Sequence, residues 1–527
     1  MLTHCSFLLP VLQLRDVLME PTVGDMRSAL ESLSASLPEA YKKTIGRIQA
    51  LPEKGCTRIG MDALRLVCFA ERPLCVSTLL EALSIRDDHT SRSKDHRPAL
   101  RTVLECCQGL LVVDSPVVRL AHSSIKDYLT SNTETPFPLA QVDMSKLCLR
   151  YLVFGDFASG PVETPAAINQ RLTEYPFLSY AACYWGVHAR GWDNHDQLQP
   201  MIGKFFGMSA NRSSSEQTFT HVNNFRWEYC SPKESYSVTP LLLASWYGLD
   251  HTVVDMLENN SEDINTKTSI GSTALIYAAG NGQLPMIRIL LDHGADPYRE
   301  NWYGGPLACA AEAGHADAIR LLATYGPRHG RMPTGRDPRY KRLPLSCARD
   351  HGHVDAIKAL VELGAPLAEA AADHWCQCCE PSATSFLHQA AVDDAASIVK
   401  AVLDCGWAEV NARCDSGMTA LHHAAVAGSL NAARVLLEAG ADKDLLDRNG
   451  SSALDYMTGK PLDWRVDWYP RGGPVAEKAR VESFDINLPP AGECWAAILE
   501  YLLAGARTDT MAKSDGSRSE RTTTESS

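Results

Sequence analysis

The chain has 527 residues, of which 45% are hydrophobic, and a formal net charge of −13 at pH 7. This content supports at least two folded units and excludes a wholly disordered chain. With a pI of about 5.7, the acidic balance argues against a broad nucleic-acid or anionic-membrane surface, which would need clustered Lys and Arg. The 17 cysteines stand in apolar stretches without a signal peptide, so we interpret them as reduced thiols of a cytoplasmic protein, with a nuclear location left open.

The hydrophobic pattern of the N-terminal region predicts helices followed by a hairpin. Residues 1–50 are predicted to form a helical segment, and further helical patterns follow to about residue 108. Two apolar runs, Leu110–Val113 and Val117–Ala121, flank a turn at Asp114–Pro116 and precede a helix over Ser123–Leu129. Helices that end in such a hairpin indicate a winged-helix-like domain over 51–135.

The apolar run Phe7–Leu14 is too short to cross a bilayer, so no membrane partner is expected.

Three more segments complete the chain around a long central region. Helical patterns continue as an extension over 136–210. Residues 211–235, which include NRSSSEQTFTHVNNF, are predicted to be a linker. The tail over 510–527 is almost all Ser, Thr, Gly and charge, which predicts disorder.

Seven similar phrases between 236 and 509 define a repeat. They begin 34, 32, 38, 42, 34 and 33 positions apart, which is the period of a helix-pair solenoid. Their first residues are Thr239, Thr273, Gly305, Leu343, Ser385, Thr419 and Ser452. Three interruptions, at 330–343, 368–385 and 460–490, are predicted to be inserted loops, and Cys494–Asp509 is the second helix of the last repeat.

Each phrase has the signals of a helix start. The hydroxyls of Thr239, Thr273 and Thr419 are predicted to cap first helices, and Pro at the first helical position costs no hydrogen bond. Gly428 is predicted to end a first helix in the left-handed conformation. Leu436 and Leu437 then place a second helix on the core.

The segments TALHHAAVAGSLNAARVLLEAGAD, from Thr419, and TALIYAAGNGQLPMIRILLDHGAD, from Thr273, resemble ankyrin repeats. The resemblance implies a mainly α fold, in which an N-terminal helical and winged-helix region precedes an ankyrin α-solenoid. It also implies that His388 and His422 form hydrogen bonds between neighbouring repeats. His423, next to His422, is expected to face solvent.

Four segments of the N-terminal half are SLPEAYKKTIGRI, ERPLCVSTLLEALSI, VVRLAHSSIKDYL and YPFLSYAACYWGVHAR. They resemble the segment that follows the NTPase module in fungal NACHT and ankyrin proteins, and residues 1–50 resemble the end of a NACHT module. No GxxxxGK[ST] motif occurs, so no nucleotide is expected. His122 stands where such receptors place a histidine that senses the bound diphosphate, and without a phosphate loop we interpret it as structural.

Catalytic and metal chemistry have little support. His374, Cys376, Cys378 and Cys379, with His388 further on, could supply zinc ligands, but the CxCC spacing is not that of a usual zinc site. No hydrolase elbow or HExxH motif is present. The sequence therefore predicts no catalytic residue, no metal and no cofactor, and a protein that is not an enzyme.

The turn PYRENWYGG, from Pro297 to Gly305, predicts a partner-binding hot spot. Its residues Tyr298, Arg299, Trp302 and Tyr303 are of the types that dominate interface energetics. Trp246 and Tyr247, in the first repeat, are second candidates. Packing of these aromatic rings against neighbouring turns is an equally weighted alternative.

Three functions fit these observations. The first is a non-enzymatic scaffold that binds an unknown protein through the concave ankyrin surface. The second is the sensor part of a NACHT-type signalling NTPase whose motor domain is lost, lies on another chain or is missing from the gene model. The third is a transcriptional co-regulator that uses the winged helix, although Lys126 has few basic neighbours in the recognition segment and no nucleic acid is expected.

Overall fold

The computed structural model is mainly α-helical, as predicted. It describes residues 8–18, 21–31, 33–34, 36–131, 136–223, 238–259, 262–301, 304–325, 343–365, 367 and 383–457. Packing divides the chain into two compact units. One comprises residues 1–277 with 292–295, and the other 278–291 with 296–527.

The first unit begins with three helices and the predicted winged-helix-like domain. The three helices are α1 (Leu8–Leu18), α2 (Val23–Glu31) and α3 (Leu37–Gln49). The domain runs through α4 (Lys54–Phe69), β1 (Leu74–Cys75), α5 (Val76–Ser84), α6 (Leu100–Cys106), β2 (Leu111–Asp114), β3 (Val117–Leu120) and α7 (Ser123–Ser131).

A small antiparallel sheet closes this domain in the order β1-β3-β2. The predicted hairpin is confirmed, with Val113 opposite Val118 and Leu111 opposite Leu120. Leu74 also pairs with Val118, which is buried. Because Val118 has partners on both edges, β3 is the central strand and its inward side chain joins the core with Leu64 and Leu79.

The helical extension packs around aromatic side chains. Its helices are α8 (Ala140–Leu152), α9 (Pro165–Glu174), α10 (Leu178–Ala189), α11 (Gln199–Gly207) and α12 (Ser209–Val222), with a 3-10 turn at Gly155–Phe157. The Tyr151 ring lies 5.1–5.5 Å from those of Phe154, Phe157 and Phe177, measured between ring centroids. Aromatic pairs at these distances add to the energy of simple burial.

The predicted linker over 211–235 is wrong in its first half, because residues up to Val222 belong to α12. The buried face of this helix consists of polar side chains, among them Ser214, Glu216 and Thr218, rather than apolar ones. Thr218 donates its hydroxyl to the Ser214 carbonyl at 3.0 Å, so its polar atom is satisfied within the helix. Hydropathy therefore gives no signal of its burial. Residues 224–235 lie outside the described part of the chain.

The repeats form the expected helix pairs. Their first helices are α13 (Pro240–Tyr247), α15 (Ala274–Gly280), α17 (Pro306–Glu312), α19 (Pro344–Asp350), α21 (Ala383–Val392), α23 (Ala420–Ala427) and α25 (Ala453–Met457). Their second helices are α14 (Asp250–Glu258), α16 (Leu284–Asp292), α18 (Ala316–Thr324), α20 (Val354–Glu362), α22 (Ala396–Asp404) and α24 (Leu430–Glu438). The predicted second helix at 494–509, and nearly all of the predicted inserts and tail, lie outside the described residues.

Caps and links between repeats follow the sequence signals. Thr239 accepts from the amide of Leu242 through its hydroxyl at 3.4 Å, and Gly428 has φ 79°, the left-handed conformation predicted for it. In the second unit, His353 donates through Nε2 to the carbonyl of Glu312 in the preceding repeat at 3.0 Å. This bond ties the fourth repeat to the third.

The burial of His188 in α10 predicts that the stability of the first unit depends on pH. It is fully buried between Tyr180, whose hydroxyl lies 2.8 Å from Nε2, and Gln141, whose Oε1 lies 2.5 Å from Nδ1. Burial lowers the pKa of His188 from 6.5 to about 4. The unfolded chain therefore takes up this proton first, and stability present above pH 6.5 is lost as the pH falls toward 4.

We expect this histidine to account for about 3 kcal/mol of acid destabilisation. The free energy of unfolding in urea is measured for the wild type and for His188→Gln at several pH values from 7.5 to 4. The wild type should lose more of this free energy than the variant as the pH falls. The buried Glu216, whose pKa is raised by burial to about 8, titrates in both proteins and cancels in the difference. Parallel pH profiles would contradict the assignment.

Candidate protein-interaction surface

The turn that enters the third repeat presents polar and aromatic side chains to solvent. Asp296 accepts from the amide of Tyr298 through Oδ1 at 2.9 Å, and its Oδ2 accepts from Nε of Arg299 at 3.3 Å. The Tyr298 side chain is 40% exposed, and Arg299 is exposed beside it. The carboxylate thus orders the turn while two residues of interface type face outward.

The same turn ends in a tight bridge between Asn301 and Gly304. The amide of Asn301 donates to the Gly304 carbonyl at 3.0 Å, and the amide of Gly304 donates to Asn301 Oδ1 at 3.0 Å. Gly304 has φ 132°, which disfavours any side chain there. The predicted hot-spot residues Trp302 and Tyr303 lie between these two and outside the described residues.

Trp246 in α13 is half-buried between two other rings. Phe219 and Tyr277 approach it edge-on, with centroid distances of 5.6 and 5.2 Å. Both contacts lie within the first unit. Much of the Trp246 ring is therefore used in packing against other rings, which is the alternative to partner contact. Only its remaining exposed part is available to a partner.

Tyr247 does not lie on a surface, which corrects its assignment as a partner-binding candidate. Its side chain is 3% exposed, and its hydroxyl donates to the Ala182 carbonyl at 2.9 Å. The ring packs edge-on against Trp185, with centroids 5.0 Å apart, above Gly186. A Cβ on Gly186 would lie 2.2 Å from the Tyr247 ring, so glycine provides the space for this contact. Tyr247 anchors the first repeat on the helical extension.

His422 links two neighbouring repeats and caps its own helix. Its Nδ1 accepts from the amide of Thr419 at 3.1 Å, and its Nε2 donates to the carbonyl of Ser451 at 3.2 Å. His388 has the same place in the preceding repeat, but it donates from Nε2 to Ala412 at 3.2 Å. The structure thus places both imidazoles at repeat junctions.

His423 is buried, so the expectation of a solvent-facing side chain is wrong. It is 6% exposed, and its ring stacks on that of His388 with centroids 4.8 Å apart. Together with Cys414, these histidines place three potential metal ligands within 4.8 Å of one another. Sequence reasoning missed this group because its members lie in three different elements. The rival ligands His374 to Cys379 lie outside the described residues.

His122 lies at the end of β3 and caps α7. Its Nδ1 accepts from the amide of Ser124 at 3.2 Å, and the Ser124 hydroxyl lies 2.7 Å from the same nitrogen. The Tyr41 hydroxyl lies 2.7 Å from Ser124 Oγ. These contacts agree with the structural interpretation of His122.

A charged cavity of about 470 Å³ lies in the first unit. Its lining includes five basic and four acidic side chains, many of them paired with each other. Arg65 contacts Asp62 at 2.7 Å and Asp143 at 3.0 Å, and Arg150 contacts Asp87 at 2.9 Å. Because the lining largely neutralises itself, the cavity does not select a ligand of one charge.

Family models match both parts of the chain. A model described as ankyrin repeats (3 copies) matches residues 222–301, 241–332 and 366–447. A model described as the winged helix domain of GPI inositol-deacylase matches residues 53–139. The chain therefore combines ankyrin repeats with an N-terminal winged helix domain, the pairing predicted from the post-NACHT resemblance. Ankyrin repeats point to a role in protein–protein interaction.

Two curated proteins are similar to parts of the chain. "Azaphilone pigments biosynthesis cluster protein L" of Monascus ruber is 24% identical over 305 residues, which cover 51% of this chain and 61% of that protein. A "putative ankyrin repeat-containing protein" of Treponema pallidum is 42% identical over 55 residues, which cover 10% of this chain and 18% of that protein. The chain thus spans less than two thirds of the length of either relative.

Solved ankyrin domains are also similar. The ankyrin repeat domain of Bcl-3, a member of the IkappaB family, is 24% identical with a TM-score of 0.34, covering 42% of this chain and 94% of that one. The human ASB11 ankyrin repeat domain is 20% identical with a TM-score of 0.32, covering 47% of this chain and all of that one. Both TM-scores are low, and the fold assignment rests on the family matches. Among the described residues, no helix is long and apolar enough to cross a bilayer.

The burial of Tyr247 predicts a stability role. Tyr247→Ala should lower the free energy of unfolding of the first unit by about 3–5 kcal/mol, because it leaves a cavity against Trp185. Tyr247→Phe should cost about 1 kcal/mol, since only a buried hydrogen bond is lost. Urea denaturation measures both values. The exposed Tyr298→Ala is the control and should stay within about 0.5 kcal/mol of the wild type. Unchanged unfolding of Tyr247→Ala would contradict the assignment.

Proposed function

We propose that this protein is a non-enzymatic scaffold that binds a partner protein through the turn tips and first helices of its ankyrin array. The main support is the turn around Asp296, whose hydrogen bonds order its backbone and leave Tyr298 and Arg299 exposed together. An ordered turn loses little conformational entropy on binding, and Tyr and Arg are frequent hot-spot residues. The Arg299–Asp296 ion pair is exposed and weak, so a partner's carboxylate can compete for the guanidinium.

The partner is identified by affinity capture on the full-length protein followed by mass spectrometry, and binding of the purified partner is then measured by calorimetry. We expect Arg299→Ala and Trp302→Ala each to weaken binding at least about tenfold, in the range of hot-spot substitutions. Arg299→Ala should unfold at the wild-type urea concentration, because Arg299 lies on an exposed turn. The hot-spot assignment predicts the same for Trp302→Ala. Wild-type affinity in both variants, or loss of fold in Trp302→Ala, would contradict this assignment.

Leu421→Ala provides the matched comparison. Leu421 is buried in α23, so its truncation should lower the free energy of unfolding by about 2–5 kcal/mol through a core cavity. Binding should then fall only in proportion to the unfolded fraction. Adding an osmolyte that restores folding should restore binding to Leu421→Ala but not to Arg299→Ala.

A second candidate function is that of the sensor part of a NACHT-type signalling NTPase. The winged helix match over 53–139, which directly follows α1 to α3, supports it. Mapping the 5′ end of the transcript tests this candidate. A message that extends upstream into a P-loop coding region would favour it, and His122 would then be tested as a nucleotide sensor. A message that starts translation at Met1 would leave the scaffold function.

A further inference from the structure

A group of two imidazoles and one thiol joins two consecutive repeats of the second unit. His388 lies on α21, Cys414 lies in the turn that follows α22, and His423 lies on α23. One ligand atom of each residue lies within 4.8 Å of the other two. His388 and His423 are buried, whereas Cys414 as a whole is half-buried.

The repeat register shows that the fold brings these three positions together. The corresponding positions one repeat later hold His422, Asp447 and Tyr456. There the Tyr456 hydroxyl donates to Asp447 Oδ2 at 2.5 Å, and the His422 and Tyr456 rings lie 6.1 Å apart. The same juxtaposition is thus satisfied by an oxygen–oxygen hydrogen bond in one junction, whereas the other holds sulfur and nitrogen.

Cys414 is unusual for its position in the turn. The equivalent Asp447 accepts from the amide of Ser451 at 2.9 Å, and the equivalent Thr268 accepts from the amide of Ser272 at 3.1 Å. Thiol sulfur is a weak acceptor, so cysteine is a poor choice for this turn-forming role. Its neighbour Ser416 instead brings a hydroxyl to 2.8 Å from the sulfur. The residue suits a ligand better than it suits the turn.

The hydrogen bond of His388 fixes its tautomer. Its Nε2 faces the carbonyl of Ala412, which only accepts, so the neutral ring carries its proton on Nε2 and its lone pair on Nδ1. Metal-bound histidines usually donate their other ring N–H to such a carbonyl, which fixes the tautomer. The Ser416 hydroxyl can likewise donate to a Cys414 thiolate.

We infer that His388, Cys414 and His423 bind a zinc ion that clamps the two repeats together. Imidazole and thiolate are the ligands that zinc prefers, and tetrahedral zinc needs ligand atoms about 3.3–3.6 Å apart. Side-chain rotations that shorten the longest separation by roughly 1 Å bring the three ligands to these distances, and water takes the fourth position, as in zinc sites with three protein ligands. The Cys414 thiol releases its proton to solvent as the zinc–sulfur bond forms, and both imidazoles bind in the neutral form.

The test uses full-length protein freed of metal by a chelator and kept reduced. Zn²⁺ is titrated by calorimetry, and Co²⁺ is titrated by absorption spectroscopy. The wild type should bind one equivalent of either ion, and bound Co²⁺ should show the bands of tetrahedral geometry with charge transfer from one thiolate. Zinc should also raise the unfolding temperature.

The chain itself supplies the matched variant. Cys414→Asp combined with His423→Tyr installs the Asp447 and Tyr456 side chains of the next junction, so this junction should fold with a hydrogen bond in place of zinc. Its zinc affinity should fall at least about 100-fold, since loss of outer-shell partners alone costs 10–100-fold. The exposed Cys405→Ser is the control and should bind zinc as the wild type does.

The rival ligand run is tested by replacing Cys376, Cys378 and Cys379 together with Ser. Retained zinc binding in this triple variant supports the clamp. The inference is overturned if the folded wild type binds no zinc, or if the Asp and Tyr double variant binds zinc as tightly as the wild type. Loss of zinc binding in the triple variant, together with retained zinc binding in the Asp and Tyr double variant, would likewise overturn it.

Discussion

The structure depends on the burial of each repeat's apolar face against a neighbour. One helix pair is too small to enclose its own core, and each buried Leu adds about 1.5–3 kcal/mol only once another helix covers it. In the second unit, alanines such as Ala310, Ala348 and Ala424 let first helices approach closely. In the first unit, α13 meets the same requirement by placing Tyr247 over Gly186 of α10. The helical extension therefore caps the first repeat, which terminal repeats of solenoids require.

Much of this fold could be predicted from local signals. The helix starts at Thr239 and Thr419, the left-handed Gly428 and the β2–β3 hairpin all follow from short-range backbone chemistry, and the structure contains them. Predictions were wrong where burial is set by distant partners. The buried face of α12 is polar, with Thr218 bonded within the helix and Asn211 bonded to the Leu152 carbonyl, so hydropathy indicates a linker. Tyr247 and His423 are of residue types that are common on protein surfaces, and they are buried only by tertiary packing.

The group of His388, Cys414 and His423 was less predictable than the fold for a related reason. The repeat period tells which positions meet at a junction but not what the side chains there do. His388 and His422 occupy the same place in the repeat phrase, yet one donates to Ala412 beside a thiol and the other to Ser451 while capping its own helix. Their surroundings differ because the residue five positions before the next repeat is Cys414 in one case and Asp447 in the other. The chemistry of such junctions therefore differs through single substitutions on a similar backbone.

The two proposals concern different parts of the second unit. The turn around Asp296 exposes the side chains proposed to contact a partner, whereas His388 and His423 are buried with a half-buried Cys414 and offer a partner little surface. In a solenoid, stability is carried by each junction with its nearest neighbours, so a metal at one junction stabilises the two repeats it joins most strongly. Zinc loss would then loosen the repeats around α21 and α23 first. Residues at the Asp296 turn would keep their own hydrogen bonds, because those bonds are contained within the turn.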